Sequence, residues 1–192
     1  MGSFMETLYD VLFRPAAAMR QIAGQKLVGQ AMAAFFLSVL IPAGAAYFAF
    51  RSGTMASFMT VFLVGQTLGS LFVWFFGSAV LSLIAEFFGG RGTALGLFAA
   101  LGFTHVPRIF AVPFLVLAML LPAPGAAIVA AATSLAVVFW TLVLDVLAVK
   151  ETYEITSAKA VLVLMAPLFC VGAAVLILLV FVGTAFLPGW IR

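Results

Sequence analysis

Five long stretches of the chain are apolar and almost free of charge, and short polar punctuation separates them. The first runs from about Val28 to Phe50 and stops at Arg51-Ser52-Gly53. The second runs from about Phe58 to Phe88 and stops at Gly89-Gly90-Arg91-Gly92. The third, about Ala94 to Leu121, is interrupted by His105, Pro107, Arg108 and Pro113 and ends at Pro122-Ala123-Pro124-Gly125. The fourth covers about Ala126 to Val149 and the fifth about Ala160 to Leu187. A helix needs roughly 20 apolar residues to cross the hydrocarbon of a bilayer, so the pattern predicts an all-α integral membrane protein with five transmembrane helices. Residues 28–192 form the five-span membrane domain. Residues 1–27 remain as a cytoplasmic interfacial segment, and the connections between spans are too short for a folded soluble domain.

Composition leads to the same class. Of 192 residues 66% are hydrophobic and 8% charged, against roughly 25% charged in a soluble domain. A water-soluble fold of this size still exposes much of its surface and has no way to hide so much apolar side chain. The formal net charge of +3 comes from nine scattered Lys and Arg, not from a basic cluster, so the electrostatic footprint of nucleic-acid binding is missing. The single cysteine, Cys170, lies inside an apolar run. One thiol excludes an internal disulfide and a multi-cysteine metal site, and it reads as a small packing residue.

The first 27 residues do not read as a cleavable signal, because Glu6 and Asp10 sit among the basic residues and the following apolar run is of span length. They predict one or two short surface helices. Ser3-Phe4-Met5-Glu6 matches a capping box. Phe4, Leu8, Val11 and Leu12 then share one helical face, with Glu6, Asp10 and Arg14 away from it. Pro15 suits the first turn of a second helix ending near Ile22, where its missing N–H is of no consequence. Phe4, Leu8, Leu12, Phe13 and Pro15 are thus candidates for an amphipathic segment lying in the headgroup plane, the alternative being a helix docked on the protein's own cytoplasmic end.

Orientation follows from the positive-inside rule. With the amino terminus inside, Arg14, Arg20, Lys26, Arg91, Lys150 and Lys159 are cytoplasmic against Arg51 and Arg192 outside. Six against two predicts N-in and C-out.

Ionisable residues at membrane depth are costly unless paired or hydrated, so they are the informative ones. Glu86 lies near the end of the second span, His105 and Arg108 within the third, and Asp145 near the end of the fourth. The second and fourth spans run in the same direction, which places Glu86 and Asp145 in one cytoplasmic layer. Arg108 lies about 14 residues into the third span, roughly 20 Å deep, but its side chain leans toward the amino terminus of its helix and so toward that layer. His105 shares its face. Ser78 and Ser82 line up with Glu86, and Ser134 and Thr141 with Asp145. These positions predict a buried polar cluster between spans two, three and four. It either clamps the bundle or lines a path for a proton, an ion or a polar headgroup. Pro107 frees the carbonyl of Phe103 and breaks the third span beside the two basic side chains; Pro42, Pro113 and Pro167 predict further kinks. Gly65 and Gly69 form a GxxxG in the second span, which serves intramolecular packing or self-association.

Several of these residues together resemble the prokaryotic branch of the Ypt-interacting protein (YIP) family. Phe13-Arg14-Pro15, followed by Ile22 and a span, is similar to its amino-terminal Phe-x-Pro signature. Leu101-Gly102-Phe103 with Pro107 resembles its Gly-aromatic-x-x-x-Pro stretch in the third span. Trp140 to Lys150, then Tyr153, Ile155-Thr156 and Lys159-Ala160, is similar to its Lys-ended fourth span and Tyr-x-Ile-Ser/Thr-x-x-Lys-Ala entry to the fifth. The resemblance covers nearly the whole chain and implies five spans with the amino terminus inside. Eukaryotic members are linked to Rab GTPases through a longer amino-terminal region carrying Asp-Leu-Tyr-Gly-Pro. Here Tyr9-Asp10-Val11-Leu12-Phe13-Arg14-Pro15 stands in that neighbourhood and the tail is short, which speaks against Rab-type GTPase binding. Six Arg against three Lys in an Ala-rich chain fits a bacterial source, hence the inner membrane.

The sequence therefore points to a non-enzymatic protein that organises membrane, with membrane lipids, other membrane proteins or a second copy as partners. The alternative is a small channel or transporter for an ion, proton or polar small molecule working through the cluster. No catalytic, cofactor-binding or metal residue is implied: Ser-His-Asp, His-Glu-x-x-His, paired-cysteine and phosphate-loop patterns are missing, and one histidine builds no metal site unaided.

Overall fold

The computed structural model describes residues 3–50 and 56–186. Their regular structure is helical throughout. Five segments are long and apolar enough to cross a membrane: Val28–Phe48, Ser57–Phe87, Ala94–Met119, Ala123–Tyr153 and Ser157–Val182. The protein is an integral membrane protein on that ground.

Two short helices precede the spans. Helix α1 (Phe4–Phe13) opens with the capping box: the Ser3 hydroxyl accepts from the Glu6 amide at 3.2 Å, and a Glu6 carboxylate oxygen accepts from the Ser3 amide at 2.6 Å. Helix α2 (Pro15–Gln25) carries Pro15 in its first turn and ends at Lys26, a non-glycine residue in the left-handed region with φ 51°. The first span is α3 (Val28–Phe50) and the second α4 (Ala56–Phe87). Gly89, at φ +81°, turns the chain out of α4, and the Gly90 amide reaches back to the Ala85 carbonyl at 3.0 Å.

The third span is broken where Pro107 predicts. Helix α5 (Ala94–Phe103) starts under a Thr93 cap, gives way to a 3-10 turn over Val106–Phe110, and resumes as α6 (Ala111–Met119). Pro113 falls in the first turn of α6, where it is tolerated, while the helices that contain Pro42 and Pro167 run on through them. Helices α7 (Ala123–Tyr153) and α8 (Ser157–Phe186) supply the last two spans. Helix α7 continues past the apolar run through Lys150 and Glu151, because a helix leaving lipid needs no stop signal until Glu154 adopts the left-handed region.

Packing is concentrated at the end of the bundle that carries α1 and α2. The fully buried large side chains are Val11, Met19, Ile22, Phe35, Leu97, Phe103, Leu144, Val149, Tyr153 and Val163, and α2 lies against α5 and α7. The centre of this core is a stack in which Trp74 lies between Phe35 and Phe98, with ring centroids 4.5 and 4.2 Å away; each such pair is worth about 0.5–1.5 kcal/mol beyond area burial. The Trp74 indole donates to the Phe98 carbonyl at 3.0 Å, so the ring is both stacked and satisfied.

Gly102 makes that stack possible. A Cβ there would stand 2.8 Å from the Trp74 ring and 2.9 Å from the Ala31 methyl. Gly65 and Gly69 of the GxxxG, in contrast, face away from the bundle with nothing within 4 Å of such a Cβ, so they do not serve packing within the chain. Gly102→Val is therefore expected to lower the thermal midpoint in detergent, by roughly 1–3 kcal/mol of overpacking. Gly65→Val in the same assay should leave the midpoint nearly unchanged.

Candidate functional site

The break in the third span gathers polar side chains onto one another and onto the backbone. Thr104 and His105 follow the last turn of α5. The Thr104 hydroxyl donates to the Leu101 carbonyl at 2.9 Å, and His105 Nδ1 lies 3.0 Å from the same oxygen. A carbonyl only accepts, so the Nδ1 position carries the proton. The imidazole stands edge-on to Phe35 with centroids 5.0 Å apart. Pro107 is buried in the 3-10 turn, and the Arg108 amide closes that turn on the His105 carbonyl at 3.0 Å.

Asp145 of α7 completes the group. Half-buried, it stands close enough to the Arg108 guanidinium and to Thr104 for both to act on it electrostatically. Arg108 and Asp145 sit in each other's field without closing to ion-pair contact; the ion-paired acid among the described residues is Glu151. Sequence reasoning named His105, Arg108 and Asp145 and missed Thr104, whose position one residue before the only histidine was the available signal.

Glu86 does not join this group. It is exposed at the foot of α4, and the side chain its charge acts on is Tyr153. Counting from predicted span ends put Glu86 level with Asp145. In the structure Ser82, one turn before Glu86, shares a 2.6 Å hydrogen bond with Tyr153, and Tyr153 lies eight residues beyond Asp145 on α7, about 12 Å along the axis. The extra turn of α7 past Val149 is what shifts the register. Ser78 is buried and bonds the Phe75 carbonyl at 2.8 Å, exposed Ser134 bonds that of Ala130 at 2.8 Å, and the Thr141 hydroxyl is buried with no hydrogen-bond partner.

A cavity of about 270 Å³ lies between α3, α4, α6 and α7, with Pro42, Gln66, Thr67, Phe114, Thr133 and Ser134 in its wall. His105, Arg108 and Asp145 are not among its lining residues.

A second polar group, unforeseen from the sequence, fastens α2 to the foot of α7. Arg20 donates to one Glu151 carboxylate oxygen through its terminal nitrogen at 2.6 Å and Nε at 3.1 Å, and Lys150 donates to the other at 2.9 Å. The Glu151 side chain is 5% exposed and that of Arg20 75%. Around it the chain ties its own ends together: the Arg91 amide bonds the Tyr153 carbonyl at 3.0 Å, and Lys159 Nζ bonds that of Phe88 at 3.1 Å. A Cβ on Gly92 would fall 2.5 Å from the Thr152 carbonyl. Long-range pairing across 131 residues leaves no local spacing to read; the acid at the exit of an apolar run was the sole hint.

The amino-terminal candidates divide. Phe4, Leu8 and Leu12 pack against the core, with Phe4 6.4 Å from the Phe103 ring, and Pro15 opens α2. Phe13 is 67% exposed. Of the two readings of this segment, the docked one fits Phe4, Leu8 and Leu12, while Phe13 stays exposed.

Five helical spans, one broken by proline over a polar knot, with a docked amino-terminal helix pair at one end, define a polytopic helical membrane protein. The chain belongs to the Yip1-domain family, whose model matches residues 9–189. No curated protein and no solved structure matches it.

The Arg20–Glu151 contact can be measured directly. Glu151→Gln is expected to lower the thermal midpoint at a cost on the order of 1 kcal/mol, since the exposed Arg20 rehydrates when released. A double-mutant cycle with Arg20→Met should return a coupling of similar size; full additivity would mean that the apolar face of α2 holds it alone.

Proposed function

We infer that the protein is a non-enzymatic membrane-organising factor of the prokaryotic YIP type. It sits in a bacterial inner membrane with its amino terminus inside, and it works through contacts with lipids and other membrane proteins. The observation that carries this reading is the use made of the polar residues in the third span. Thr104 and His105 are spent on a backbone carbonyl at the helix break, and Arg108 and Asp145 answer each other. Their role is then to clamp a broken helix in lipid, where unsatisfied backbone would be costly. The cavity walled by Gln66 and Ser134 stands apart from them, as a clamp requires and a conduction path through Arg108 does not.

The orientation is supported by the gathering of Arg20, Arg91, Lys150 and Lys159 on the α1–α2 end; Arg51 and Arg192 lie outside the described residues. Contacts with partners fall to that end, where the short helices and the exposed basic side chains are.

Proteoliposomes carrying the wild type or Arg108→Met should show the same proton and ion leak as protein-free vesicles. A wild-type flux that Arg108→Met abolishes would replace the clamp with a transporter. For orientation, a cysteine at exposed position Gln21 in a Cys170→Ala background should resist an impermeant maleimide in intact cells and react once the membrane is opened. Labelling without permeabilisation would reverse the topology.

A further inference from the structure

Helix α1 carries three faces, not two. With about 3.6 residues per turn, Phe4, Thr7, Leu8, Val11 and Leu12 form one arc, and this arc is turned onto the bundle: Val11 is 0% exposed. Glu6 and Asp10 form the polar arc on the opposite side. Between them run Met5, Tyr9 and Phe13, spaced by four and exposed at 72%, 58% and 67%, with the Tyr9 and Phe13 rings in contact at 4.6 Å.

The level at which α1 is held says what the third face meets. The Thr7 hydroxyl lies 3.1 Å from the side-chain oxygen of Gln30, the third residue of α3, so the middle of α1 stands where the first span begins. Phe4 reaches Phe103 within the third span.

We propose that α1 lies at a three-way border, with Met5, Tyr9 and Phe13 embedded in the acyl region of the lipid leaflet beside the foot of the first span. The partner is the lipid leaflet, taken up through its hydrocarbon and not through headgroup charge, because Glu6 and Asp10 offset the basic Arg14 that follows the helix. Tyr9, with an apolar ring and a polar tip, suits that depth. The proposal deepens the lipid-contact role given to this end of the protein and rests on it. It also specifies which residues make the contact: Met5, Tyr9 and Phe13, with Phe4, Leu8 and Leu12 facing protein.

The test is depth-sensitive fluorescence on the full chain. Single cysteines at Tyr9, Phe13 and Asp10 in a Cys170→Ala background are labelled with a nitrobenzoxadiazole dye and reconstituted into phosphatidylcholine vesicles, with or without brominated acyl chains. Labels at positions 9 and 13 should be blue-shifted and lose most of their emission to brominated lipid, while the label at 10 does neither. Vesicles containing phosphatidylglycerol, and added salt, should change nothing. Emission at 9 and 13 matching that at 10 would overturn the proposal. So would a blue shift that brominated lipid fails to quench, which would show protein covering the stripe, including a second copy. Either result would leave the flux and maleimide outcomes for the whole protein standing on their own.

Discussion

Inside hydrocarbon a polar group finds no water, and the chain must satisfy every such group itself. Pro107 makes this acute, since it interrupts the helical ladder in the middle of the third span. Side chains at the break bond the backbone of the last turns of α5. The Leu101 carbonyl accepts from the Thr104 hydroxyl and the His105 ring, and the Phe98 carbonyl, one turn earlier, accepts from the Trp74 indole. Because those donors come from α4 and from the break itself, the break also fixes how α4, α5 and α3 meet. The Phe35–Trp74–Phe98 stack is built on that junction, and Gly102 is the position that lets the rings approach.

The same constraint explains why packing is uneven. Lipid tails are as apolar as leucine, so helices surrounded by lipid gain little from hydrophobic burial against each other. Toward water that gain returns. The buried large side chains collect at the end where α2 closes over the feet of α5 and α7, whereas α8 from Leu168 to Val182 and the far part of α4 remain exposed. Helix α2 is thus the lid of a small core that resembles a soluble domain's. Glu151, nearly sealed beneath Arg20 and Lys150, is the polar counterpart of that closure.

What was legible in the sequence follows from what is local. Apolar run length gave the five spans, Ser3 and Glu6 gave the capping box, and Pro107 gave the break, since each depends on neighbours within a turn or two. Registers between spans were harder. Glu86 and Asp145 sit at similar distances from the ends of their apolar runs, but α7 continues to Tyr153, and that continuation decides which residues stand level. Which face of α1 docks on the protein was left open by the sequence for a different reason. A helix that is apolar over most of its circumference reads as amphipathic toward lipid, and nothing in its spacing says that Phe4, Leu8 and Leu12 meet protein while Met5, Tyr9 and Phe13 do not.

Basic residues at this end carry two roles that reinforce each other. Under the inward orientation proposed for the amino terminus, they resist translocation and so set topology as the chain inserts. Once the spans are in place, Lys159 bonds the Phe88 carbonyl at the exit of α4, the Arg91 amide bonds Tyr153 at the end of α7, and Lys150 and Arg20 hold Glu151. The contacts made by Lys159, Arg91 and Arg20 join segments that only become neighbours after both have inserted. Charges that fix the side on which a loop stays are therefore placed where they can also fix which loops touch. The docked α2 gains its Glu151 contact only once α7 is in place, so full closure of this end reports that the fourth span is in position.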